Sequence, residues 1–383
     1  MIPQLIGAAL AALALAGAAY MALAAALVGR YRMGPSPRLA AFPPVTVLKP
    51  LHGAEPYLDE NLAATLAQDY AGRVQTIFGV ARGADPALSA VAAARLCEPS
   101  RAVDVVVDAS RHGSNAKVGN LLNMAARARH GVIVMADSDM AVPPSHLSRV
   151  VAELQQPGVG AVTCLYRGRG DRGFWSKLAA AGISWQFLPG VVVGRALGLA
   201  EPCMGATIAL NADTLRSIGG FGAFADTLAD DHAIGAAVRA RGLAISAPAM
   251  LLAHGSAERD LGELARRELR ANATVREIEP LGFIGSLIAH PLPLAVLALA
   301  FMGASSLALG SLAAALGARL ALVFAVDHAA GERTAPVFWL PLRDLLSFAL
   351  FVGAFFVRQV DWRGARLDIL GGGLIAPTPE PAL

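Results

Sequence analysis

The apolar residues of this chain are concentrated in two regions, residues 3–29 and residues 286–357. The first region is long enough to cross a bilayer, because ~27 helical residues at ~1.5 Å each exceed the thickness of its hydrocarbon core. In the second region, residues 286–326 have the length of two spans and residues 340–357 that of one more. Hydrophobic residues make up 55% of the chain and charged residues 16%, which is too apolar for a soluble protein. The pattern predicts membrane helices on both sides of one folded middle domain.

Positive charges indicate how the chain is inserted. No Lys or Arg precedes the first apolar region, whereas Arg30, Arg32 and Arg38 follow it. By the positive-inside rule, the N-terminus lies outside, the middle domain is cytoplasmic, and the first region is a retained anchor rather than a cleaved signal peptide. The richness in Ala, Gly and Arg is typical of some bacteria, so we predict a multi-pass protein of the bacterial inner (cytoplasmic) membrane.

The number of membrane spans after the middle domain and the charges near the C-terminus predict different sides for the C-terminus. Three spans after a cytoplasmic domain put the C-terminus outside, but Arg358, Arg363 and Arg366 favour the inside. Either one of these segments is re-entrant or interfacial, or residues 286–326 hold a different number of spans. The predicted domains are an anchor at 1–30, a middle domain with interfacial helices at 31–280, a transmembrane region at 281–360, and a tail at 361–383 that is Pro-rich and disordered from Leu374.

Charge and cysteine content exclude two classes of function. The net charge of +3 gives no electrostatic support for binding nucleic acid. The three cysteines, Cys97, Cys164 and Cys203, are widely spaced and form no CxxC pair, so neither a zinc site nor a disulfide framework is predicted. His52, His112, His254 and His290 have no metal-ligand spacing and are interpreted as structural or surface residues.

Within the middle domain, short β-branched runs alternate with segments of helical spacing. Strands are predicted at 45–48, 75–80, 103–107, 132–135 and 159–165. This alternation predicts an α/β domain with a mostly parallel sheet covered by helices on both faces. Ligands of such sheets bind beyond the carboxyl ends of the strands, and Asp85, Asp137 and Asp139 all follow predicted strands.

The Asp137-Ser138-Asp139 motif is the sharpest local signal. Alternating carboxylates at a strand end point to one side and can hold Mg²⁺ or Mn²⁺, which prefer oxygen ligands and keep positions for substrate phosphates. The alternative is a solvated loop with turn-forming acids. The position directly after the apolar run 132–135 favours a cation site.

Three further groups have a functional and a structural interpretation. Asp230 and Asp231 open a helix, where they can serve as a general base or cap the helix N-terminus. Lys117 follows Ser114-Asn115-Ala116 at another helix start, where it can approach phosphate or simply follow a cap. Arg267 and Arg270 share one helix face and can grip a diphosphate or contact anionic lipid headgroups.

The motifs occur in a fixed order along nearly the whole chain. They are Val47-Leu48-Lys49-Pro50-Leu51-His52-Gly53, Asp69-Tyr70, Asp85-Pro86-Ala87, Asn115-Ala116-Lys117, Asp137-Ser138-Asp139, Cys203-Met204-Gly205, Gly219-Gly220, Asp230-Asp231, the Arg-x-x-Arg of Arg267 and Arg270, and Asp361-Trp362-Arg363-Gly364. This ordered set resembles the ceramide glucosyltransferase family and its bacterial relatives associated with hopanoid biosynthesis.

The resemblance implies a GT-A type fold and a metal-assisted, inverting transfer from a UDP-sugar. Asp85 is similar to the acid that binds the nucleotide, and Asp137 to the acid beside the metal and the diphosphate, with Asp139 completing the DxD motif. Asp231, preceded by Asp230, looks like the catalytic base.

The last family motif is (Arg/Gln)-x-x-Arg-Trp, and Arg267 and Arg270 match its arginines. Ala271 stands where the family has Trp, which puts the pose of the acceptor and the turnover in question. The segment from Arg267 into Pro280-Leu281-Gly282 and His290-Pro291 looks more like the hopanoid branch, which implies transfer of N-acetylglucosamine to a bacteriohopane polyol.

Other hypotheses are a ceramide glucosyltransferase that uses UDP-glucose, a processive polysaccharide synthase, and a non-catalytic membrane protein. A synthase needs more spans and usually an intact Gln-x-x-Arg-Trp. The loss of the Trp at Ala271 favours a non-catalytic protein, whereas the retained acids disfavour one, because clustered buried carboxylates are costly without a metal or substrate.

Overall fold

The computed structural model describes residues 2–31, 37–170, 172–362, 365–370 and 373–378. The chain forms two compact units. The sheet unit comprises Gly34–Tyr166, Glu201–Gly255 and Leu367–Leu383, and the helical unit comprises Met1–Met33, Arg167–Ala200 and Ser256–Arg366. Arg32 of the basic flank, and Arg363 and Gly364 of the last motif, lie outside the described residues.

The centre of the sheet unit is a seven-stranded sheet. Its strands are β1 (Val45–Pro50), β2 (Val74–Val80), β3 (Ala102–Val107), β4 (Val132–Met135), β6 (Val159–Thr163), β8 (Ile208–Asn211) and β9 (Ala244–Ser246). They lie in the order β3-β2-β1-β4-β8-β6-β9. β1 is parallel to β2 and β4, β2 to β3, and β6 to β9, whereas β8 is antiparallel to β4 and β6. The predicted mostly parallel sheet is confirmed, with one reversed strand.

Helices cover both faces of this sheet, as β4 shows. Ile133 and Met135 pack in one apolar cluster with the helix Ala116–Ala125, and Val132 and Val134 pack in another with the helix His146–Leu154. Alternate residues of a strand point to opposite faces, so a strand buried on both faces is apolar throughout. The helices of the unit are α2 (Leu58–Leu66), α3 (Ala87–Cys97), α4 (Ala116–Ala125), α5 (His146–Leu154), α8 (Ala212–Ser217) and α9 (Asp230–Arg239).

Two short strands beside the sheet were not predicted. β5 (Met140–Ala141) pairs antiparallel with β10 (Leu251–Gly255), which sets His254 opposite Met140. The single strand predicted at 159–165 is in fact two strands, because β6 ends at Thr163 and β7 (Leu165–Arg169) begins after Cys164.

The longest apolar helices of the described residues lie in the helical unit. They and their neighbours are α1 (Ile2–Tyr31), α6 (Phe174–Gly182), a π-helix (Ile183–Phe187), α7 (Leu188–Ala196), α10 (Leu261–Ile278), α11 (Pro280–Gly285), a 3₁₀ turn (Ser286–Ala289), α12 (Pro291–Met302), α13 (Ser306–Ala330), a 3₁₀ turn (Val337–Trp339), α14 (Leu340–Gly353) and a 3₁₀ turn (Ala354–Phe356).

Among the described residues, three helices are long and apolar enough to cross a membrane: Ile2–Tyr31, Ser306–Ala330 and Val337–Phe356. The pair Pro280–Ala289 and Pro291–Met302 is bent by 67°, as in a broken span or a re-entrant loop. The two predicted spans at 286–326 therefore correspond to one long helix and part of one bent pair.

Small residues of α1 let its neighbours approach closely. A Cβ at Gly7 would collide with Met302, and one at Gly17 would collide with Ile288 and Pro291. Such contacts are typical of membrane helices, which associate by close backbone packing. α12 therefore runs antiparallel to α1.

The C-terminal end is ordered over part of its length. Beyond β11 (Gln359–Trp362), strands β12 (Ala365–Leu370) and β13 (Leu374–Pro377) pair antiparallel. The prediction of a disordered tail from Leu374 is wrong for these residues, because β13 finds backbone partners in the sheet unit and buries Ile375.

Candidate active site

Asp85 joins two loops at the carboxyl ends of β1 and β2. Its Oδ1 accepts hydrogen bonds from the backbone N–H groups of Gly53 and Ala87, each at 2.9 Å. The His52 ring nitrogen Nδ1 lies 4.0 Å from the other carboxylate oxygen. The carboxylate thus holds the loop after β1 against the start of α3.

Lys117 is the centre of a charged cluster at the carboxyl end of β4. Its Nζ lies 2.7 Å from Asp137 Oδ1 and 3.5 Å from Asp230 Oδ2. Burial alone would lower the pKa of the Lys117 ammonium, but Asp137, Asp230 and Asp231 outweigh burial and raise it. Lys117 is therefore a permanent cation between two acids that are far apart in sequence.

Asn115 places Lys117 and connects it to the loop before α9. Its Oδ1 accepts a hydrogen bond from the Val118 N–H at 3.1 Å, so Asn115 is the N-cap of α4. Its Nδ2 donates to the Thr227 carbonyl oxygen at 2.8 Å and to Asp230 Oδ1 at 3.4 Å. The cap predicted at this helix start is confirmed, and it coexists with the charged cluster.

Asp231 is fixed by two backbone amides. Gly205 N–H donates to its Oδ2 and His232 N–H donates to its Oδ1, both at 2.8 Å. Burial, and next the neighbouring Asp230, raise the pKa of Asp231 to about 6. A carboxylate with such a pKa can accept a proton near neutral pH.

The backbone of Gly205 lies directly against the charged cluster around Lys117. A Cβ added there would lie 2.9 Å from both Asp137 Oδ2 and Lys117 Nζ, and 3.5 Å from Asp231 Oδ2. A side chain at this position would therefore require Asp137 and Lys117 to shift.

The Asp137-Ser138-Asp139 segment is held through its backbone. The Asp137 carbonyl accepts from Lys49 Nζ at 2.8 Å, and the Ser138 carbonyl accepts from Asn61 Nδ2 at 3.0 Å. Burial lowers the pKa of the Lys49 ammonium to about 8. The backbone is anchored from the protein side, and 32% of the Asp137 side chain is exposed to solvent.

Asp139 has a partner that the sequence did not suggest. His254 Nε2 lies 3.1 Å from Asp139 Oδ2, and the Gly255 N–H donates to the Asp139 carbonyl at 2.8 Å. His254, interpreted from the sequence as a structural or surface residue, thus contacts a predicted metal ligand. The missed signal was the position of His254 at the end of an apolar strand.

The chemistry of the acids suits a divalent cation, although the described residues contain no group of three or more His, Cys, Asp or Glu side chains arranged around a metal. Mg²⁺ is usually bound by one or two carboxylates together with water and substrate phosphates. Asp137 and Asp139 supply such oxygen atoms, and each is one-third exposed.

Arg267 and Arg270 lie on α10 of the helical unit. The Arg267 guanidinium forms an ion pair with the buried Glu258, and its Nη1 donates to Ser256 Oγ at 3.4 Å. Ala271, at the position of the family's Trp, is exposed. Of the predicted residues, the structure brings Lys117, Asp137, Asp230 and Asp231 together in one cluster.

Comparisons with known proteins are consistent with this geometry. The model of the family described as glycosyl transferase family 21 matches residues 9–375. The mannosyltransferase PcManGT from Pyrobaculum calidifontis, solved in complex with GDP-Man and Mn²⁺, is 22% identical over 91% of this chain and 98% of its own, with a TM-score of 0.55. This likeness concerns the GT-A-like fold.

A second solved structure is more distant. Glucosyl-3-phosphoglycerate synthase from Mycobacterium tuberculosis, in complex with Mg²⁺ and UDP, is 16% identical over 66% of this chain and 82% of its own, with a TM-score of 0.39. Its complex with Mn²⁺ and UDP-Glc gives 17% identity, the same coverage of both chains and the same TM-score of 0.39.

Proposed function

The chain belongs to glycosyl transferase family 21, and on that premise we propose that it transfers a sugar from a UDP-sugar to a hydroxyl group of a membrane lipid at the cytoplasmic face. The observation that carries the proposal is the cluster around Lys117. One cation contacts Asp137 and Asp230, while Asp231 is oriented by the amides of Gly205 and His232. A carboxylate of this cluster can accept the proton of an acceptor hydroxyl, and the surplus of acids suits a divalent cation that would bind the diphosphate.

In the proposed reaction, Asp231 is the base. As it removes the proton from the acceptor hydroxyl, the hydroxyl oxygen attacks the anomeric carbon and the bond to the diphosphate oxygen breaks. UDP leaves with the electron pair, and direct displacement inverts the anomeric configuration. The positive charge of Lys117 acts to lower the pKa of Asp231 and so favours the ionised form of this carboxylate before it takes the proton.

We assign the other charged residues to the donor. Asp85 would bind the nucleotide, and Asp137 and Asp139 would hold Mg²⁺ or Mn²⁺, which offsets the charge of the diphosphate. Arg267 and Arg270 would contact the diphosphate, since planar guanidinium groups bind it bidentately. In the described structure the Arg267 guanidinium is oriented by its ion pair with Glu258 within the helical unit.

Two substitutions separate binding from chemistry. Asp231→Asn should bind the UDP-sugar with unchanged affinity and lose transfer, measured by equilibrium dialysis and by product formation. Asp137→Ala should lose the metal-dependent part of donor binding. Asp213→Asn, at an exposed ion pair with Arg216, is the control. Retained turnover in Asp231→Asn would refute the base, and unchanged binding in Asp137→Ala would remove that residue from the metal site.

For the acceptor we propose a hopanoid polyol, with N-acetylglucosamine as the sugar. The support is the resemblance of the segment from Arg267 to His290-Pro291 to the hopanoid branch. The second candidate is glucose transfer to ceramide. A processive polysaccharide synthase is less well supported, because the described helices provide at most four candidate spans.

Lipid mass spectrometry distinguishes the acceptors. The protein is expressed or deleted in a hopanoid-producing host, and expressed in a sphingolipid-producing host. An N-acetylhexosaminyl polyol hopanoid that depends on the protein supports the first proposal. A hexosyl ceramide in the second host, with hopanoids unchanged in the first, supports the ceramide glucosyltransferase. If neither lipid changes, both acceptors are wrong.

A further inference from the structure

The loop at residues 225–231, here called the acid loop, carries Asp230 and Asp231 and is held on one side by the start of α4. Ser114 N–H donates to Asp226 Oδ1 at 2.7 Å, and Asn115 N–H donates to the Ala225 carbonyl at 2.8 Å. These contacts come from the same turn that places Lys117. They fix the first half of the acid loop relative to the ammonium group.

The other side of the acid loop is held by the C-terminal strand β13. Leu228 N–H donates to the Gly373 carbonyl at 2.9 Å, and Ile375 N–H donates to the Asp226 carbonyl at 3.0 Å. Thr227 forms an antiparallel bridge with Leu374. The acid loop therefore gains a strand partner from a segment nearly 150 residues later in the sequence.

The acid loop has few local means of holding its shape. The N-cap of α9 is Ala229, whose side chain makes no capping hydrogen bond. Asp230 directs its carboxylate to Lys117, and Asp231 accepts hydrogen bonds from the Gly205 amide and from the His232 N–H of the first helical turn. Since a helix start without a side-chain cap is less stable, the conformation of this loop depends on the partners that flank it.

From these contacts we infer that β13 is a positioning element of the active site, and that Ile375 is the residue that anchors it. Ile375 is 3% exposed, whereas its neighbour Leu374, on the opposite face of the strand, is 47% exposed. Burial of Ile375 holds the strand, the strand holds the acid loop, and the loop sets the direction of Asp230 and Asp231. Ile375 contacts no reacting group and acts through the backbone.

This inference rests on the proposed function, in which Asp231 is the base. Because small displacements of a catalytic group cost up to ~10²-fold in rate, Ile375→Ala should lower kcat by about tenfold or more and change KM for the UDP-sugar by less than about twofold. Leu374→Ala, which removes an exposed side chain from the same strand, should leave both constants unchanged. Ile375→Val, which keeps a β-branched anchor, should restore most of kcat.

A truncation series tests the same inference without a point substitution. The full chain, a chain that ends at Thr378 and a chain that ends at Leu370 are purified in detergent and assayed for donor binding and transfer. Ending at Thr378 should preserve transfer, and ending at Leu370 should abolish it while donor binding persists.

The possible failures are distinguishable. If the full chain transfers no sugar from a UDP-sugar to any lipid, the proposed function fails. If the full chain and Leu374→Ala are active and Ile375→Ala is equally active, only the role of β13 fails. If Ile375→Ala and the chain ending at Leu370 lose donor binding together with transfer, β13 merely stabilises the fold and the positioning role is wrong.

Discussion

At the scale of single residues, the electrostatic balance around Lys117 determines what the candidate site can bind. Three carboxylates, those of Asp137, Asp230 and Asp231, act on this one ammonium. Burial raises the pKa of Asp137, and Lys117 opposes that rise. The acids outnumber the ammonium, so the site favours a further cation and a substrate whose phosphates bring their own counter-charge.

Gly205 gives a direct test of how tightly this cluster is packed. Gly205→Ala should lower transfer by ~10-fold or more, because the added methyl group forces Asp137 or Lys117 to move and displaced catalytic groups lose most of their rate. The substitution should be compared with Gly131→Ala in the same unit, where an added Cβ has no neighbour within 4 Å. Steady-state rates of both variants at saturating donor are the measurement. Equal activity of the two variants would show that the cluster tolerates a side chain at 205.

The pKa of Asp231 predicts the acid side of the pH–rate profile. Burial raises this pKa to about 6, and a base must be ionised to act, so kcat should fall as pH drops through about 6 and reach a plateau above it. The raised pKa of Asp231 affects the stability of the fold in the opposite direction, because stability is favoured by the protonated form. A carboxyl group whose pKa is higher in the folded protein than its ordinary value of 3.8 is destabilising when ionised, so its contribution to stability improves below pH 6. A profile flat from pH 5 to 8 would contradict the role of Asp231.

Strand-end positions made part of the site predictable at the residue scale. Asp85, Asp137 and Asp139 follow apolar runs, and ligands of parallel sheets bind at that edge. Gly205 gave no such signal, and the strand-end position of His254 was not used. Their roles come from β10 and from the segment before β8, which meet the DxD motif and the acid loop only through tertiary contacts.

At the scale of elements, local pattern predicted the strands of the first half of the sheet and failed at short strands. β4 was predicted with its observed ends, since a buried strand is continuously apolar. β5 and β13 have two and four residues and no pattern of their own, so their conformation depends on distant partners. The reversed direction of β8 is likewise not encoded in its composition.

The helices α13 and α14 are joined by a buried ion pair. Arg319, which is 1% exposed, donates from Nε to Asp344 Oδ2 at 2.8 Å and from Nη2 to Oδ1 at 2.6 Å. Its Nη1 donates to the Trp185 carbonyl at 2.7 Å, within the π-helical stretch. One guanidinium thus links three elements of the helical unit, and all its strong acceptors are supplied by the protein.

Removing one partner should cost far more than removing both. Arg319→Leu or Asp344→Leu leaves a buried charge without its partner, a change worth ~3–5 kcal/mol, whereas an apolar pair in the same place is often neutral. The melting temperatures of the two single variants and of the double variant in detergent form the double-mutant cycle. If the double variant is destabilised by the sum of the singles, the two residues are not coupled.

At the scale of the whole molecule, β13 limits the number of membrane crossings. Gly373 and Ile375 bond to the acid loop of the sheet unit, so they lie on the same side of a membrane as that unit. If the chain is membrane-embedded, it must cross an even number of times between residues 255 and 373. The three apolar segments in that interval cannot all be spans, which resolves the conflict with the basic residues after α14.

The packing of the helical unit indicates which segments cross. α12 runs antiparallel to α1, since Met302 lies beside Gly7. α13 then returns along α1, because Arg319 reaches Met21. α14 lies along α10, to which it is tied by Arg343 with Glu268 at 2.7 Å. We propose that α14 does not cross the membrane, although its length and hydropathy would suit a span, because the neighbouring α10 is too charged to enter the hydrocarbon core.

Single cysteines in the two connecting loops test this topology. In a Cys97→Ser background, which removes the exposed native thiol and keeps the buried Cys164 and Cys203, we expect Ala304→Cys to react with an impermeant maleimide from outside intact cells. Arg333→Cys should react only in inverted vesicles. The reverse pattern, with position 333 outside and position 304 inside, would mean that α13 and α14 are the two crossings and that the bent pair is re-entrant. Both patterns keep the C-terminus with the sheet unit, so the experiment decides which helices cross and leaves the role of β13 untouched.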